Sequence, residues 1–284
     1  MKIFERLTYM ILTFIKKWMS SLSANSRSRL SLRLASIIYN YIPKRREIAI
    51  NNLKMAFPKW HNDKINHQIK KIYQFFTHNM IQFFSVPKSW DGIEMKIIGA
   101  DILDKAMEQK NGCILISAHF GAWELFVRWV GQTNYRAVGI AQRQKNLGAN
   151  QFFKEQRELC KVEHIFRKES IEKMEAVLKS NSILGLVSDQ DARDRGIFVK
   201  FFGHPASTHK GVALFHQKTN APMVFGVCVK TGYHKYCIEI IPIEPKSNST
   251  KDITQAFTSV LESKIREYPE QYFWFHRRWK TKQK

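Results

Sequence analysis

The stretch Cys113-Ile114-Leu115-Ile116-Ser117-Ala118-His119-Phe120-Gly121-Ala122-Trp123-Glu124 decides how the chain is read. Its apolar start reads as a buried strand. After it, Leu125 and Trp129, and Phe126 and Val130, recur at i, i+4 and argue for a helix over 122–131. A histidine therefore sits on a strand-to-helix turn, where α/β folds place ligands. Gly121 allows the turn to be tight and a substrate to approach the backbone. Glu124 lies in the first helical turn, within reach of the imidazole. A neutral imidazole beside a carboxylate is an activated general base, with its tautomer fixed and its imidazolium steadied. No serine or cysteine is placed as a nucleophile, so the chemistry expected is direct deprotonation of a substrate hydroxyl. The competing reading is a histidine that serves structure alone.

Outward from this turn, strand and helix alternate from Met95 onward. Strands are expected at 95–98, 113–117, 135–140, 183–188, 222–229 and 236–243. Helices are expected at 100–109, 122–131, 148–160, 170–179, 208–218 and 251–266, the last with Ile253, Phe257, Val260, Leu261 and Ile265 on one face. The pattern predicts an α/β fold: a mostly parallel central sheet flanked by helices, with 222–229 and 236–243 as a closing pair suited to antiparallel pairing. Upstream, Ile65, Ile69, Ile72, Phe76 and Met80 recur at helical spacing over 63–84, behind a possible cap at Asp63. Its aromatics fit either the core or the wall of an acyl tunnel.

The first 42 residues read as a separate helical, membrane-associating segment ahead of a domain spanning 43–284. The apolar run from Leu7 to Ile15 falls short of the roughly 20 residues a spanning helix needs. No small-residue cleavage site follows it. An interfacial helix suits it better, with Ile11, Phe14, Ile15, Trp18 and Met19 on one side. Residues 1–60 hold twelve Lys and Arg against two acids, a balance of +10, close to half of the net +22 of the 284-residue chain. Such a field favours polyanions, either an anionic membrane face, nucleic acid or acidic proteins. Its interleaving with Trp18, Leu30, Leu34, Ile37 and Ile38 favours the membrane. With 44% hydrophobic residues the chain can bury a proper core. The four cysteines, 113, 160, 228 and 237, form no C-x-x-C pair and read as buried free thiols. No P-loop, dinucleotide fingerprint, nucleophile elbow or zinc motif occurs, so no metal or cofactor is expected.

The stretch 189–211 is long for a connection and reads as a functional loop. Gly196 and Gly203 bracket Phe198, Phe201 and Phe202, a ridge able to contact an acyl chain. Asp189 and Asp191 follow a buried strand and read either as ligand-edge carboxylates or as partners of Arg193 and Arg195. Arg143, Arg157 and Arg167 are candidates for binding a phosphate or steadying an oxyanion.

His119-Phe120-Gly121-Ala122-Trp123-Glu124 resembles the His-x4-Asp/Glu box of the glycerolipid acyltransferases, and in its flanks the bacterial lipid A late acyltransferases. Three more stretches match in order. They are Arg45-Arg46-Glu47-Ile48-Ala49-Ile50-Asn51-Asn52-Leu53 with Phe57-Pro58; Ser188-Asp189-Gln190 with Gly196 to Ala206; and Pro269-Glu270-Gln271-Tyr272-Phe273-Trp274-Phe275-His276-Arg277-Arg278-Trp279-Lys280. The resemblance implies an acyltransferase with His119 as base and Glu124 as its partner. It implies acyl transfer from acyl carrier protein to a hydroxyl of a phosphorylated glycolipid, at the cytoplasmic face of a bacterial inner membrane. Arg143, Arg167, Asp189, Gly121 and the 196–203 ridge would line the substrate. Other acceptors, such as an aminolipid or lysophospholipid, remain open within this chemistry. A nucleic-acid-binding module would account for the charge but leave the His119 turn unexplained.

Overall fold

In the computed structural model, which describes residues 2–167 and 169–283, four helices come first: α1 (Ile3–Ser21), α2 (Ala24–Tyr41), α3 (Pro43–Ala56) and α4 (Asn62–Phe84). Then follow β1 (Glu94–Ile98), α5 (Ala100–Glu108), β2 (Cys113–Ser117), α6 (Trp123–Val130), β3 (Ala137–Ala141), α7 (Leu147–Glu158), β4 (Glu163–Phe166), α8 (Ile171–Lys179) and β5 (Ile183–Val187). The chain continues through β6 (Ile197–Phe201), β7 (His204–Thr208), α9 (Gly211–Thr219), β8 (Met223–Gly232), β9 (Lys235–Pro242) and α10 (Thr250–Glu267). Helix starts follow local chemistry. Ser23, Asn146, Ser170 and Ser249 each turn a side-chain oxygen onto a free backbone N–H of the first turn.

Seven strands form one sheet in the order β1-β9-β8-β2-β5-β3-β4. Neighbours from β8 to β4 run parallel, β9 opposes β8 as the antiparallel closing pair, and β1 runs with β9. The hydrophobic run that opens β2 places it at the centre. Ile114 and Ile116 face a large core shared with α4, α8, α9 and α10, while Cys113 and Leu115 face a smaller one under α5 and α6. Each such side chain, buried on a two-faced parallel strand, stabilises the fold by about 1.5–3 kcal/mol. The four cysteines are buried and free.

Two expectations change. The stretch 189–211 is not one open loop: β6 and β7 form a separate antiparallel hairpin turning at Phe202-Gly203. β4 adds an edge strand that its sequence, Glu-His-Ile-Phe, was too short and mixed to announce.

The N-terminal helix is held tightly against α7. A Cβ on Gly148 would lie 1.8 Å from the Glu5 carbonyl oxygen, and the Tyr9 hydroxyl donates to Glu155 at 3.0 Å. Its opposite side is bare: Ile3, Phe4, Leu7, Met10, Ile11, Phe14 and Trp18 are all exposed. At 100° per residue these seven fall in one stripe. Met19, expected in the stripe, is instead buried, and Ile15 is half-buried. Among the described residues no helix is long and apolar enough to cross a membrane.

Candidate active site

β2 and β5 pair in parallel with Ser117 opposite Val187. Two residues beyond that pair, on each strand, lie His119 and Asp189. The register therefore brings them together, with His119 Nδ1 2.9 Å from Asp189 Oδ1. The imidazole side chain is 35% exposed and the carboxylate 3%. Burial works against a charged His119, but the charge and hydrogen bond of Asp189 outweigh it, with a smaller push from Glu124, so its pKa is raised. Burial likewise opposes ionised Asp189, and His119 and, more weakly, Arg278 outweigh it, so its pKa is lowered. The pair is thus a charge-assisted hydrogen bond that fixes the proton on Nδ1 and leaves Nε2 as the basic nitrogen. The Gln190 amide also approaches Nδ1, at 3.4 Å.

This changes the part given to Glu124. Among the described residues it makes no hydrogen bond to the imidazole; the carboxylate on Nδ1 is Asp189. Glu124 reaches His119 through charge alone. Burial pushes its own pKa up to about 7, partly offset by its backbone N–H and the Trp123 indole.

Gly121 is required, for a different reason than substrate approach. Its φ is +66°, and a Cβ there would sit 2.0 Å from the Cys228 carbonyl oxygen. The next three backbone N–H groups after His119 are engaged: Phe120 with Ala118 O, Gly121 with Gln271 O and Ala122 with Cys228 O. Those three are therefore not free to meet an oxyanion.

Three cavities with shared walls lie on this side of the sheet edge, and His119 lines two of them. One of about 340 Å³ lies against His119, between the sheet and α6. Through Trp123, Val127, Arg157 and His164 it adjoins a second, of about 610 Å³. That one is walled by Phe76, Met80, Phe83 and Phe84 of α4, Phe153 of α7, and Phe273, with Asn79, Glu124, Gln156, Arg157 and His164 as polar points. The α4 aromatics thus serve both readings. Phe75 and Phe76 belong to the core, while Phe83 and Phe84 extend the stripe into a cavity wall. The third, of about 860 Å³, opens beside His119 on the α8 and α9 side. Its lining is mixed: Gln142, Arg167, Glu169, Glu175, Gln190 and Lys218 lie among Ile140, Met174, Val212 and Phe215. Exposed Ile171, Val187 and Leu214 stand in its wall.

The remaining sequence candidates separate. Arg167 lines the mixed cavity. Arg143 lies over the Phe166 ring, 4.7 Å from its centroid. Arg157 lines both the His119 cavity and the apolar one, and its buried Nε has no partner among the described residues. Gly196, Phe198, Phe201, Phe202 and Gly203 line none of these three cavities. Phe201 and Phe202 are buried in an aromatic cluster with Trp274, Tyr272, Trp279 and Phe57. Phe201 and Phe202 are core because the hairpin folds them inward, while Phe198 is half-buried and Gly203 exposed. Among the described residues no cluster of three or more His, Cys, Asp or Glu is placed to hold a metal ion.

A histidine–carboxylate pair at the carboxyl edge of a parallel sheet, near one apolar and one amphiphilic cavity, suits chemistry on substrates that carry fatty chains. A model of the bacterial lipid A biosynthesis acyltransferase family matches residues 3–281. The chain belongs to this family. It is similar to the lipid A biosynthesis palmitoleoyltransferase of Escherichia coli, 23% identical over 264 residues that cover 89% of this chain and 84% of the relative. It is also similar to the E. coli lipid A biosynthesis lauroyltransferase, at 23% over 265 residues, 89% and 85% of the two chains. A phosphatidylinositol mannoside acyltransferase of Mycobacterium tuberculosis is 24% identical over 192 residues, 66% of this chain and 60% of that one. This chain is therefore an acyltransferase, and the His119 turn lies within the part the family shares.

Proposed function

We propose that this acyltransferase moves a fatty acyl chain from the thioester of acyl carrier protein to a hydroxyl of a phosphorylated glucosamine lipid, a lipid A precursor. The observation that carries the reading is the His119–Asp189 pair, with His119 in the wall of the mixed cavity and of the small cavity that adjoins the apolar one. The apolar cavity suits the donor chain. The mixed one suits an amphiphilic acceptor: its amides, carboxylates and cations can meet a sugar headgroup, and exposed Ile171, Val187 and Leu214 can meet its tails.

In this mechanism Nε2 of His119 takes the acceptor hydroxyl proton as the oxygen attacks the thioester carbonyl. A new C–O bond forms, the carbonyl electrons move onto oxygen, and the tetrahedral intermediate collapses by breaking the C–S bond. The imidazolium returns its proton to the leaving thiolate. Asp189 holds the tautomer and steadies the imidazolium. Arg157, which reaches both the His119 cavity and the apolar one, meets the oxyanion. Glu124 adds proton affinity to His119 from the cavity wall.

The exposed stripe of α1, with basic residues beside it, rests on an anionic membrane surface at the cytoplasmic face of the inner membrane. Because α1 is clamped to α7, and Phe153 and Arg157 of α7 wall the apolar cavity, this posture holds the donor site close to the lipid.

The test is purified protein with carrier-protein thioesters of graded chain length. A tetra-acylated lipid A precursor, a lysophospholipid and a mannosylated phosphatidylinositol are offered in parallel, with products read by mass spectrometry. Acylated lipid A precursor as the principal product supports the reading; acylation of either other lipid alone sinks the proposed acceptor.

A further inference from the structure

The two halves of the pair arrive on different strands, and one segment ties both: the C-terminal tail from Gln271 to Thr281. On the His119 side, Phe273 N–H donates to His119 O at 3.0 Å and Gly121 N–H donates to Gln271 O at 2.8 Å. The Gln271 amide is itself fixed, accepting from Lys230 N–H and donating to Lys230 O. On the Asp189 side the link runs through Arg278. Its Nη1 donates to Ser207 O at 2.7 Å and its Nη2 to Thr208 Oγ1 at 2.5 Å. The same Ser207 carbonyl accepts the N–H of Ala192, three residues past Asp189, at 3.2 Å. Thr281 Oγ1 donates to Asp191 Oδ2 at 2.9 Å.

Arg278 is 2% exposed and, among the described residues, has no carboxylate within ion-pair distance. A buried guanidinium in that position is costly unless its charge serves a neighbour. The titratable and charged groups facing it are Asp189 and Asp191 from the loop after β5, His209 ahead of α9, and Tyr272 and His276 of the tail. Asp189 and Asp191 are the acids among them, and Asp189 is the one that touches His119.

We propose that Arg278 is a positioning residue for the transfer reaction: through Ser207 it fixes the loop that carries Asp189, and its charge balances that buried carboxylate behind His119. It touches no substrate and acts through Asp189. This rests on His119 being the base. Its loss has a direction: with the cation gone, both Asp189 and His119 hold protons more readily, so the base is freed only at higher pH.

The experiment uses full-length Arg278→Met and Arg278→Lys beside His119→Ala, with kcat, KM and kcat/KM measured against pH. Arg278→Met is expected to lower kcat at least ~10-fold with KM within about twofold of wild type, and to move the acid limb up by roughly half a pH unit or more. Arg278→Lys keeps the charge but not the fork, so kcat falls while the limb stays in place. The Nδ1 proton resonance of His119 should shift in Arg278→Met. A folded Arg278→Met with wild-type kcat and acid limb overturns the proposal. Should that variant fail to fold, Arg278→Lys decides, and wild-type kcat there overturns it equally. An active His119→Ala would instead remove the base on which the proposal stands; an inactive one beside unaffected Arg278 variants would defeat Arg278's role alone.

Discussion

Asp189→Asn separates the carboxylate on His119 from the one in the cavity wall. The substitution keeps the shape of a side chain that is 3% exposed but removes its charge, 2.9 Å from Nδ1. If the amide oxygen faces Nδ1, the tautomer survives and a hydrogen bond worth about 1.5–3 kcal/mol becomes one worth about 0.5–1.5. The difference, about 1–1.5 kcal/mol, is roughly tenfold in rate. If the amide nitrogen faces Nδ1, the ring proton moves to Nε2 and the base is lost, which forfeits about 10²–10⁴. The two orientations bracket the expected fall in kcat, from about tenfold to about 10²–10⁴. The pH profile adds a second readout. Asp189 outweighs burial to raise the His119 pKa, so its loss lowers that pKa, and the acid limb should move to lower pH while the plateau falls. The assay is transfer from a carrier thioester across pH, with circular dichroism to confirm folding. A folded variant within threefold of wild type, or with its limb moved up, would refute the reasoning.

Other outcomes follow from the same geometry. Glu124→Gln should lose at least ~10-fold in kcat/KM and remove an inflection near pH 7, because burial places the Glu124 pKa at about 7 beside the base; a pH profile superimposable on wild type counts against it. Gly121→Ala forces a Cβ onto the Cys228 carbonyl at a φ of +66°, at a cost of about 1–3 kcal/mol or more. Differential scanning calorimetry should show a fall of about 5–10 °C, and an unchanged midpoint would show that the turn relaxes freely. Leu7→Glu with Phe14→Glu changes two exposed positions of the α1 stripe, 50% and 69% accessible, so folding is preserved. Each loses burial worth about 1.5–3 kcal/mol in a lipid interface, and sedimentation with anionic vesicles should fall at least ~10-fold. Equal sedimentation would place the contact elsewhere.

Much of the fold was legible because the signals were local. The apolar run of β2 and the helical stripes announce the alternation, and the closing antiparallel pair was readable from length and spacing, whereas Asp63, expected as a cap, lies inside the first turn of α4 behind His61. What failed was non-local. Phe198 to Phe202 is as apolar as an acyl-contacting ridge would be, and only the β6–β7 pairing shows that Phe201 and Phe202 turn into the aromatic core. The site followed the same rule. His119 on a tight turn could be read from its strand, its glycine and its helix. Glu124 is the carboxylate nearest to it along the helix that follows, which is why the sequence points there first. The carboxylate that touches the ring is 70 residues away, brought there by the pairing of Ser117 with Val187, and no local pattern encodes a register. A signal did exist in the acid that follows the next buried strand, Asp189, already notable as an edge residue. Gly121 was singled out for the conformation it does adopt, but the atom that crowds it comes from β8 and is invisible in the sequence around it. Arg278, in a basic and aromatic run, gave no sign that it would be buried while Arg277 and Lys280 stay exposed.

The most direct test of His119 as the base that transfers an acyl chain is a side-by-side assay of wild type and His119→Ala. Carrier-protein thioester and a tetra-acylated lipid A precursor are supplied in detergent, with both ester product and free thiol followed. The wild type should release thiol in step with ester formed, and the variant, folded by circular dichroism, should do neither. A His119→Ala protein that keeps more than a tenth of the wild-type rate would contradict the account.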